Sequence, residues 1–252
     1  MRYFLSILLV FACFYTNAQK IKVLTYNIHH GNPPSKKGII DLEAIAAVIN
    51  SADVDIVAIQ EVDNNVSRSN FENQAERLAE LTKMEYLFTK SIPLEEGAYG
   101  TAILTRHKIV SKRRYDLPMP VKSENRTLTI VDVELAKGKI VSLANTHLDL
   151  KSQNREEQAR FITEIVELYN RPLILVGDFN ATPREKAIEI LETSFVRNNK
   201  GKATFPNINP KDEIDYIMVG KHSKFKWKKY QILKDHNVAS DHLPLLGVIK
   251  FK

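Results

Sequence analysis

The stretch Arg171-Pro172-Leu173-Ile174-Leu175-Val176-Gly177-Asp178-Phe179-Asn180-Ala181-Thr182-Pro183 joins a buried strand to a polar end. Pro172 cannot donate to a sheet ladder and suits the mouth of a strand. The apolar run Leu173 to Val176 predicts a strand buried on both faces. It ends in Gly177, a carboxylate at Asp178 and, two residues on, a carboxamide at Asn180. In extended geometry those two side chains share a face. Asp and Asn also build turns readily, so the same residues can be read as a simple stop.

Other strand ends in the chain carry the same kind of chemistry. Ile21 to Ile28 predicts a strand ending Tyr26-Asn27-Ile28-His29-His30, and Asp55 to Gln60 a short buried strand ending in Glu61. Lys139 to Thr146 runs into His147-Leu148-Asp149. Ile214 to Val219 holds Asp215 where an apolar residue would be expected, and Ser240-Asp241-His242 precedes a strand over Leu245 to Phe251. Further strands are predicted at Tyr99–Leu104, Ile109–Tyr115, Arg126–Leu135 and Phe225–Leu233.

Helical periodicity marks Asp41 to about Asn50, with Asp41 as cap, and Phe71–Thr82, 184–192 and Ser152–Tyr169. In the last, Phe161, Ile162, Ile165, Val166 and Leu168 are expected inward, and Arg155, Glu156, Glu157 and Glu164 outward. Early helices between strands, followed by hairpins, predict an α/β fold: two mixed β-sheets packed face to face in a four-layer sandwich, with helices on the outside.

The chain has 252 residues, 44% hydrophobic and 26% charged, with a net charge of +6. Arg2, the apolar run Tyr3 to Tyr15 and Thr16-Asn17-Ala18 have the form of a secretory signal peptide over residues 1–18, too short to span a membrane. The domain then runs over 19–252, and the mature protein is expected to be secreted or periplasmic. Removing Arg2 takes +6 to +5, and removing Cys13, the only cysteine, leaves none. A cysteine-free chain in an oxidising compartment must rely on its core. A modest positive field favours phosphate-bearing partners without naming one. No transmembrane span is expected in the mature chain, and no obligate protein partner is evident.

Oxygen ligands without cysteine suit a hard cation, Mg²⁺ or Mn²⁺, rather than zinc. Glu61 and Asp241 can supply carboxylates to it and Asn27 a neutral oxygen. His147 and His242 can donate to phosphate oxygens or move protons. Asp215 can fix a histidine tautomer, Asp178 can activate water, and Asn180 can orient it. Each has a plainer reading. Glu61 can be a solvated rim charge, His147 a packed imidazole and Asp241 a turn residue. Asp215 is harder to dismiss, because an unpaired carboxylate inside a strand is costly.

Taken in order, Thr25-Tyr26-Asn27, Gln60-Glu61-Val62, Tyr99-Gly100-Thr101-Ala102-Ile103-Leu104, Asn145-Thr146-His147-Leu148, Gly177-Asp178-Phe179-Asn180, Ile214-Asp215-Tyr216-Ile217 and Ser240-Asp241-His242 resemble the endonuclease/exonuclease/phosphatase superfamily. These are metal-dependent phosphoester hydrolases related to DNase I, exonuclease III and neutral sphingomyelinases, and the likeness runs from about Ile21 to Phe251. It implies a DNase I-like sandwich with the site at one sheet edge and Glu61 as the main ligand of Mg²⁺ or Mn²⁺, with Asn27 and Asp241 nearby. It implies Asp178, Asn180, His147 and His242 around the scissile phosphate and Asp215 behind His242. Asp178 is the expected activator of water and His242 the alternative base. Arg126, Tyr99 and Asn145 are expected to contact substrate. His29 stands where several nucleases of the family have an acid, which weakens the expectation of a second metal there. No Trp-Cys-Asp-Arg-type segment precedes the Asp215 strand, which argues against inositol-polyphosphate 5-phosphatases. The Gly97–Arg106 and Gly-Asp-Phe-Asn-Ala-Thr-Pro stretches look more like exported or membrane-associated members.

Nucleic acid is the leading substrate expectation. Lys221, Lys224, Lys226, Lys228 and Lys229 interleave with Phe225, Trp227 and Tyr230, and lysines neutralise phosphates while aromatic rings stack bases. The same pattern is ordinary strand alternation. Phospholipid or sphingomyelin head groups and phosphomonoesters are the alternatives. In a different class stands a secreted binding protein that keeps the fold without the catalysis.

Overall fold

The computed structural model describes residues 20–36, 38–198, 201–234 and 238–251; the leader expected over 1–18 lies outside them. Two six-stranded mixed sheets face each other. The first contains β1 (Lys20–Asn27), β2 (Ile56–Asn64), β3 (Glu85–Leu94), β4 (Gly97–Thr105), β11 (Phe225–Ile232) and β12 (Leu245–Phe251), in the order β11-β12-β1-β2-β4-β3. The second contains β5 (Lys108–Asp116), β6 (Thr127–Ala136), β7 (Lys139–His147), β8 (Leu173–Asp178), β9 (Phe195–Arg197) and β10 (Asp215–Gly220), in the order β5-β6-β7-β8-β10-β9. Helices α1 (Leu42–Ala52) and α2 (Gln74–Thr82) belong to the first half, and α3 (Ser152–Glu167) and α4 (Lys186–Ser194) to the second. No helix of the described residues is long and apolar enough to cross a membrane.

Three apolar layers arise from strand alternation. Ile21, Val23, Ile56, Ala58, Val141, Leu143, Ile174, Val176, Ile217 and Val219 meet between the sheets. The alternate residues Leu24, Tyr26, Val57 and Ile59 face α1 and α2. Leu173, Leu175, Tyr216 and Met218 face α3 and α4. The expected four-layer sandwich is therefore the observed one. Each inner strand face is apolar for most of its length, and period-2 alternation carries that face on to a polar residue. Val23 leads to Thr25 and Asn27, Ala58 to Gln60, Leu143 to Asn145 and His147, Val176 to Asp178, and Ile217 back to Asp215.

Several elements differ from expectation. β3 has no apolar alternation strong enough to announce a strand; it is an edge strand carrying Lys90 and Pro93, as edges often do. α2 begins at Gln74, not Phe71, because the Asn73 side chain caps it by accepting from the Glu76 N–H at 3.3 Å. Phe71 lies before it, left-handed and exposed. Asp41 does cap α1, accepting from the Ala44 N–H at 3.0 Å. On α3, Leu168 falls past the last helical residue and is exposed. Arg155 is buried rather than outward: its guanidinium donates to the Asp149 and Leu150 carbonyls at 3.2 and 2.7 Å and pairs with Glu185.

Gly177 separates the apolar half of β8 from Asp178. Its φ is +145°, and a Cβ there would stand 1.9 Å from the Thr146 carbonyl oxygen of β7. Gly177→Ala should therefore cost at least about 2 kcal/mol in urea unfolding. Gly138→Ala is the comparison, since Gly138 shares a positive φ but a Cβ there meets nothing within 4 Å. Equal losses in the two variants would show that backbone angle alone, not the β7 contact, requires the glycine.

Candidate active site

The polar ends gather at one end of the seam between the sheets. Sheet register aligns them: Asn27 stands beside Gln60, His147 beside Asp178, and Asp178 opposite Asp215. The last stretch arrives through Ser240, whose hydroxyl donates to the Asn27 carbonyl at 2.7 Å and fixes Asp241 and His242 against the end of β1.

Asp178 is the hub. Its Oδ1 accepts the Asn180 N–H at 2.9 Å, closing a local turn. Its Oδ2 accepts from Asn27 Nδ2 at 3.0 Å and has the Nε2 atoms of His147 and His242 each at 3.6 Å. One oxygen closes the turn and the other faces the Asn27 amide and the two imidazoles. Phe179, between the two polar residues, is buried and stacked on Tyr216 with ring centroids 5.0 Å apart.

Glu61 reaches the site through a β-bulge. Strict alternation would send it outward with Ile59. The β2–β4 register shifts between Ile59 and Val62, and Glu61 takes a φ of +56°. Bulges re-aim side chains in this way. Asn27 Nδ2 donates to Glu61 Oε1 at 3.0 Å as well as to Asp178, so a single amide bridges the two carboxylates.

The imidazole tautomers are set by their partners. Arg126 Nη1 lies 3.2 Å from His147 Nδ1. A guanidinium has only donors, so Nδ1 accepts and the His147 proton sits on Nε2, aimed at the site. Burial pushes the His147 pKa well down, helped by the Arg126 and His242 charges, and the ring is neutral. His242 is the opposite case. Burial opposes its charge, but the Asp215 and Asp178 carboxylates outweigh burial and raise its pKa to about 10. Its Nδ1 donates to Asp215 Oδ2 at 2.9 Å. Burial and the neighbouring Asp215 charge push the Asp178 carboxyl above the usual carboxylate range, against the pull of His242. Asp215 Oδ1 is buried without a hydrogen-bond partner among the described residues.

Two expectations need correction. Asn145 is fully buried and does not face a substrate. It accepts from Gln60 Nε2 at 2.8 Å and donates to the Ile59 and Ala102 carbonyls at 3.2 and 2.9 Å, tying the two sheets together. Asn180 does not share a strand face with Asp178, because it is left-handed at φ +48° and its Nδ2 donates to the Leu148 carbonyl at 2.9 Å. Arg126 and Tyr99 do border the site. Arg126 is buried between His147 and Glu124, with its Nε unpartnered among the described residues. Tyr99 lines a cleft of about 190 Å³ with His29, His30, Glu61, Arg68 and Glu124. Arg68 lies over the Tyr99 ring at 5.5 Å and is held by both oxygens of Asp63 at 2.7 and 2.8 Å. Glu124 carried no sequence signal, and Gln60 signalled only as part of the Gln-Glu-Val run.

Glu61, Asp241 and the Asn27 amide oxygen, which accepts the His29 N–H at 3.0 Å and has a second lone pair, are the hard-oxygen donors available here. Asp241 is half-buried, and its charge is felt by Tyr26, His30 and His242, which puts it on the Asn27 side of the site. Glu61 and Asp178 converge on one amide, two carboxylates sharing a single donor group, and that excess of anionic acceptors fits a divalent hard cation.

The basic run on β11 is a strand face. Phe225, Trp227 and Tyr230 pack onto the core between the sheets, while Lys226, Lys228 and Lys229 are exposed. Trp227 meets Phe225 and Tyr230 edge-on at 5.7 and 5.3 Å. The rings are half-buried, and with Val196, Arg197 and Asn198 they line a cleft of about 580 Å³ on this edge.

A family model described as "Endonuclease/Exonuclease/phosphatase family" matches residues 24–242. The uncharacterized protein YbhP of Escherichia coli K12 is 28% identical over 250 residues, covering 93% of this chain and 98% of that protein. Among solved structures, an endonuclease/exonuclease/phosphatase family protein from Bacteroides thetaiotaomicron aligns with a TM-score of 0.77 at 20% identity, over 93% of this chain and 99% of that one. A mannosyl-6-phosphatase from the same organism aligns at 0.74 and 20% identity, over 92% and 100%.

The charges predict a pH signature. His242 binds a proton in the folded chain that the unfolded chain releases near pH 6.5, the ordinary histidine value. Its contribution is full below that value and is lost as pH rises toward about 10. The raised Asp178 carboxyl has the same sign at lower pH, because it too holds its proton longer when folded. In EDTA, the stability advantage of wild type over Asp215→Asn should be full at about pH 6 and shrink toward about pH 10. An advantage that grows with pH would contradict the His242–Asp215 assignment.

Proposed function

The chain belongs to the endonuclease/exonuclease/phosphatase family, and we propose that it is an exported, Mg²⁺- or Mn²⁺-dependent phosphoester hydrolase acting on a small phosphoester. The observation that carries this is the set of donors around Asp178 Oδ2. The Nε2–H groups of His147 and His242 point at it from 3.6 Å, too far for hydrogen bonds, so neither donor is spent on the carboxylate. A phosphate oxygen lodged beside Asp178 would find both.

In this reading Asp178 is the general base. Its raised pKa suits it to take a proton from water near neutral pH. His242 is held cationic by Asp215, so it donates to the phosphate rather than accepting from water. His147, neutral and fixed by Arg126, supplies a second donor. Glu61, Asp241 and Asn27 would hold the divalent cation, whose charge offsets that of the phosphate and of the leaving oxygen. Attack by water in line with the leaving oxygen places the new P–O bond on the Asp178 side. The proton taken from water goes to Asp178, and the leaving oxygen departs opposite.

The cleft beside Glu61, about 190 Å³, has room for a small leaving group. The β11 rings are half-buried and meet one another edge-on, which weakens the stacking argument for nucleic acid. Export rests on the leader-like residues 1–18.

The purified protein should hydrolyse chromogenic phosphoesters with Mg²⁺ or Mn²⁺ and stop in EDTA. Glu61→Ala, Asp178→Asn and His242→Ala should each lose about 10²–10⁴-fold in kcat with unchanged circular dichroism. Full activity in any of them overturns the assignment. Run in parallel on a sugar phosphate, sphingomyelin, plasmid DNA and RNA, the assay should favour the sugar phosphate. Cleavage confined to DNA or RNA would return nucleic acid as the substrate.

A further inference from the structure

Just beyond Asn27 the chain makes one tight turn, His29–Gly31. Three successive residues are left-handed there, with φ of +46° at His29, +43° at His30 and +74° at Gly31. Gln74 at the start of α2 braces this turn: its Nε2 donates to the His30 carbonyl at 2.7 Å and its Oε1 accepts the Asp63 N–H at 2.9 Å. The turn is thereby tied to the strand that carries Glu61. Asn32 closes the far side by donating to the Lys36 and Ile39 carbonyls at 3.2 and 2.7 Å. The two rings are held at the mouth of the cleft, centroids 4.5 Å apart and nearly edge to face.

Their nitrogen atoms are assigned by neighbours. His29 Nδ1 lies 3.0 Å from the Asn32 carbonyl. A carbonyl only accepts, so Nδ1 carries the proton and Nε2 keeps its lone pair. A backbone carbonyl on the far nitrogen is the support that metal-bound histidines commonly have. His30 Nδ1 faces Glu61 Oε2 at 4.0 Å, beyond a hydrogen bond and wider than the roughly 3.4 Å between two ligands on a tetrahedral zinc, so binding would draw the ring and the carboxylate together. One donor atom each from His29, His30 and Glu61 falls within 4.8 Å of the others.

From this we infer that His29, His30 and Glu61 form a binding site for a zinc-class divalent ion, separate in chemistry from the oxygen set of Asn27, Glu61 and Asp241 but sharing the Glu61 carboxylate with it. Two imidazoles and one carboxylate with open positions are a zinc donor set, whereas Mg²⁺ has little use for nitrogen. The inference rests on the proposed hydrolase only in giving Glu61 a second role. Because one carboxylate serves both sites, a zinc-class ion and Mg²⁺ compete for it.

Co²⁺ serves as the probe, added to purified, tag-free protein in excess Mg²⁺ and read by visible ligand-field absorption. No turnover is needed, so the result is independent of whether the hydrolase reading stands. Wild type should bind one equivalent. His29→Asn and His30→Asn remove the imidazoles while keeping a residue type that tolerates left-handed backbone. Each should weaken Co²⁺ by more than the 10–100-fold typical of losing a supporting partner alone. His107→Asn, a histidine remote from the cleft, should bind as wild type does. Unchanged Co²⁺ binding in either His29 or His30 variant, or an equal loss in His107→Asn, overturns the site. A second readout needs no variant: Zn²⁺ should protect the His29–His30 peptide from diethyl pyrocarbonate while leaving His107 reactive, and equal modification with and without Zn²⁺ also overturns it.

Discussion

Two carboxylates, Asp178 and Asp215, face each other across neighbouring strands, and both are buried. Like charges so placed repel, and burial raises the cost of each. His242 resolves the conflict. Its Nδ1 donates to Asp215 at 2.9 Å while its Nε2 stands 3.6 Å from Asp178. Without a cation between them at least one acid would have to take up a proton to stay buried, and burial opposes the His242 charge unless both acids flank it. The arrangement explains why the short Ser240-Asp241-His242 loop is pinned so firmly, with Ser240 donating to the end of β1 and the Leu243 N–H donating to Thr204. Move that loop and two buried charges lose their partner.

The layer behind the site has a related problem. Between two sheets, polar side chains have no water to turn to, and each unpaired group would cost about 1–3 kcal/mol. Thr25, Gln60 and Asn145 answer it with one another. The Thr25 hydroxyl donates to Gln60 Oε1 at 3.3 Å, Gln60 Nε2 to Asn145 Oδ1, and Asn145 Nδ2 to strand carbonyls of the facing sheet. This chain of amides lies between the apolar seam and the charged end. It also fixes how the two sheets register, and so how Asn27 and Glu61 from one sheet meet His147 and Asp178 from the other.

Sequence alone reached far where the relevant physics is periodic. The inward apolar residues of β8 and the switch to Asp178 at its end are visible in the spelling Leu-Ile-Leu-Val-Gly-Asp, and the same holds for β1 and β7. It fell short where geometry departs from the period. Nothing in Gln60-Glu61-Val62 announces a bulge, yet without one Glu61 would point at the helices. Asn180 reads as the second polar residue of an extended pair, but a turn closed by Asp178 itself takes it out of the strand. Asn145 is chemically indistinguishable from a substrate contact until its three partners are seen. Arg155 carries a charge that a helical wheel assigns to solvent, whereas the carbonyls that bury it belong to the loop before its own helix.

Glu61 is where these constraints meet. The bulge that turns it inward also gives it two kinds of neighbour: the Asn27 amide on one side and the His30 imidazole on the other. A carboxylate on a regular strand would have been committed to one face. At a left-handed position, braced through Gln74 to the histidine turn and through Asn27 to Asp178, it stands on the boundary between an oxygen-rich and a nitrogen-rich environment. Oxygen ligands discriminate poorly among divalent ions, and imidazoles shift preference toward the later transition metals. On the proposed reading, the ion that Glu61 would take is governed less by Glu61 than by the turn that comes after Asn27. With His29 and His30 in that turn, the two sides of Glu61 offer different donor chemistry.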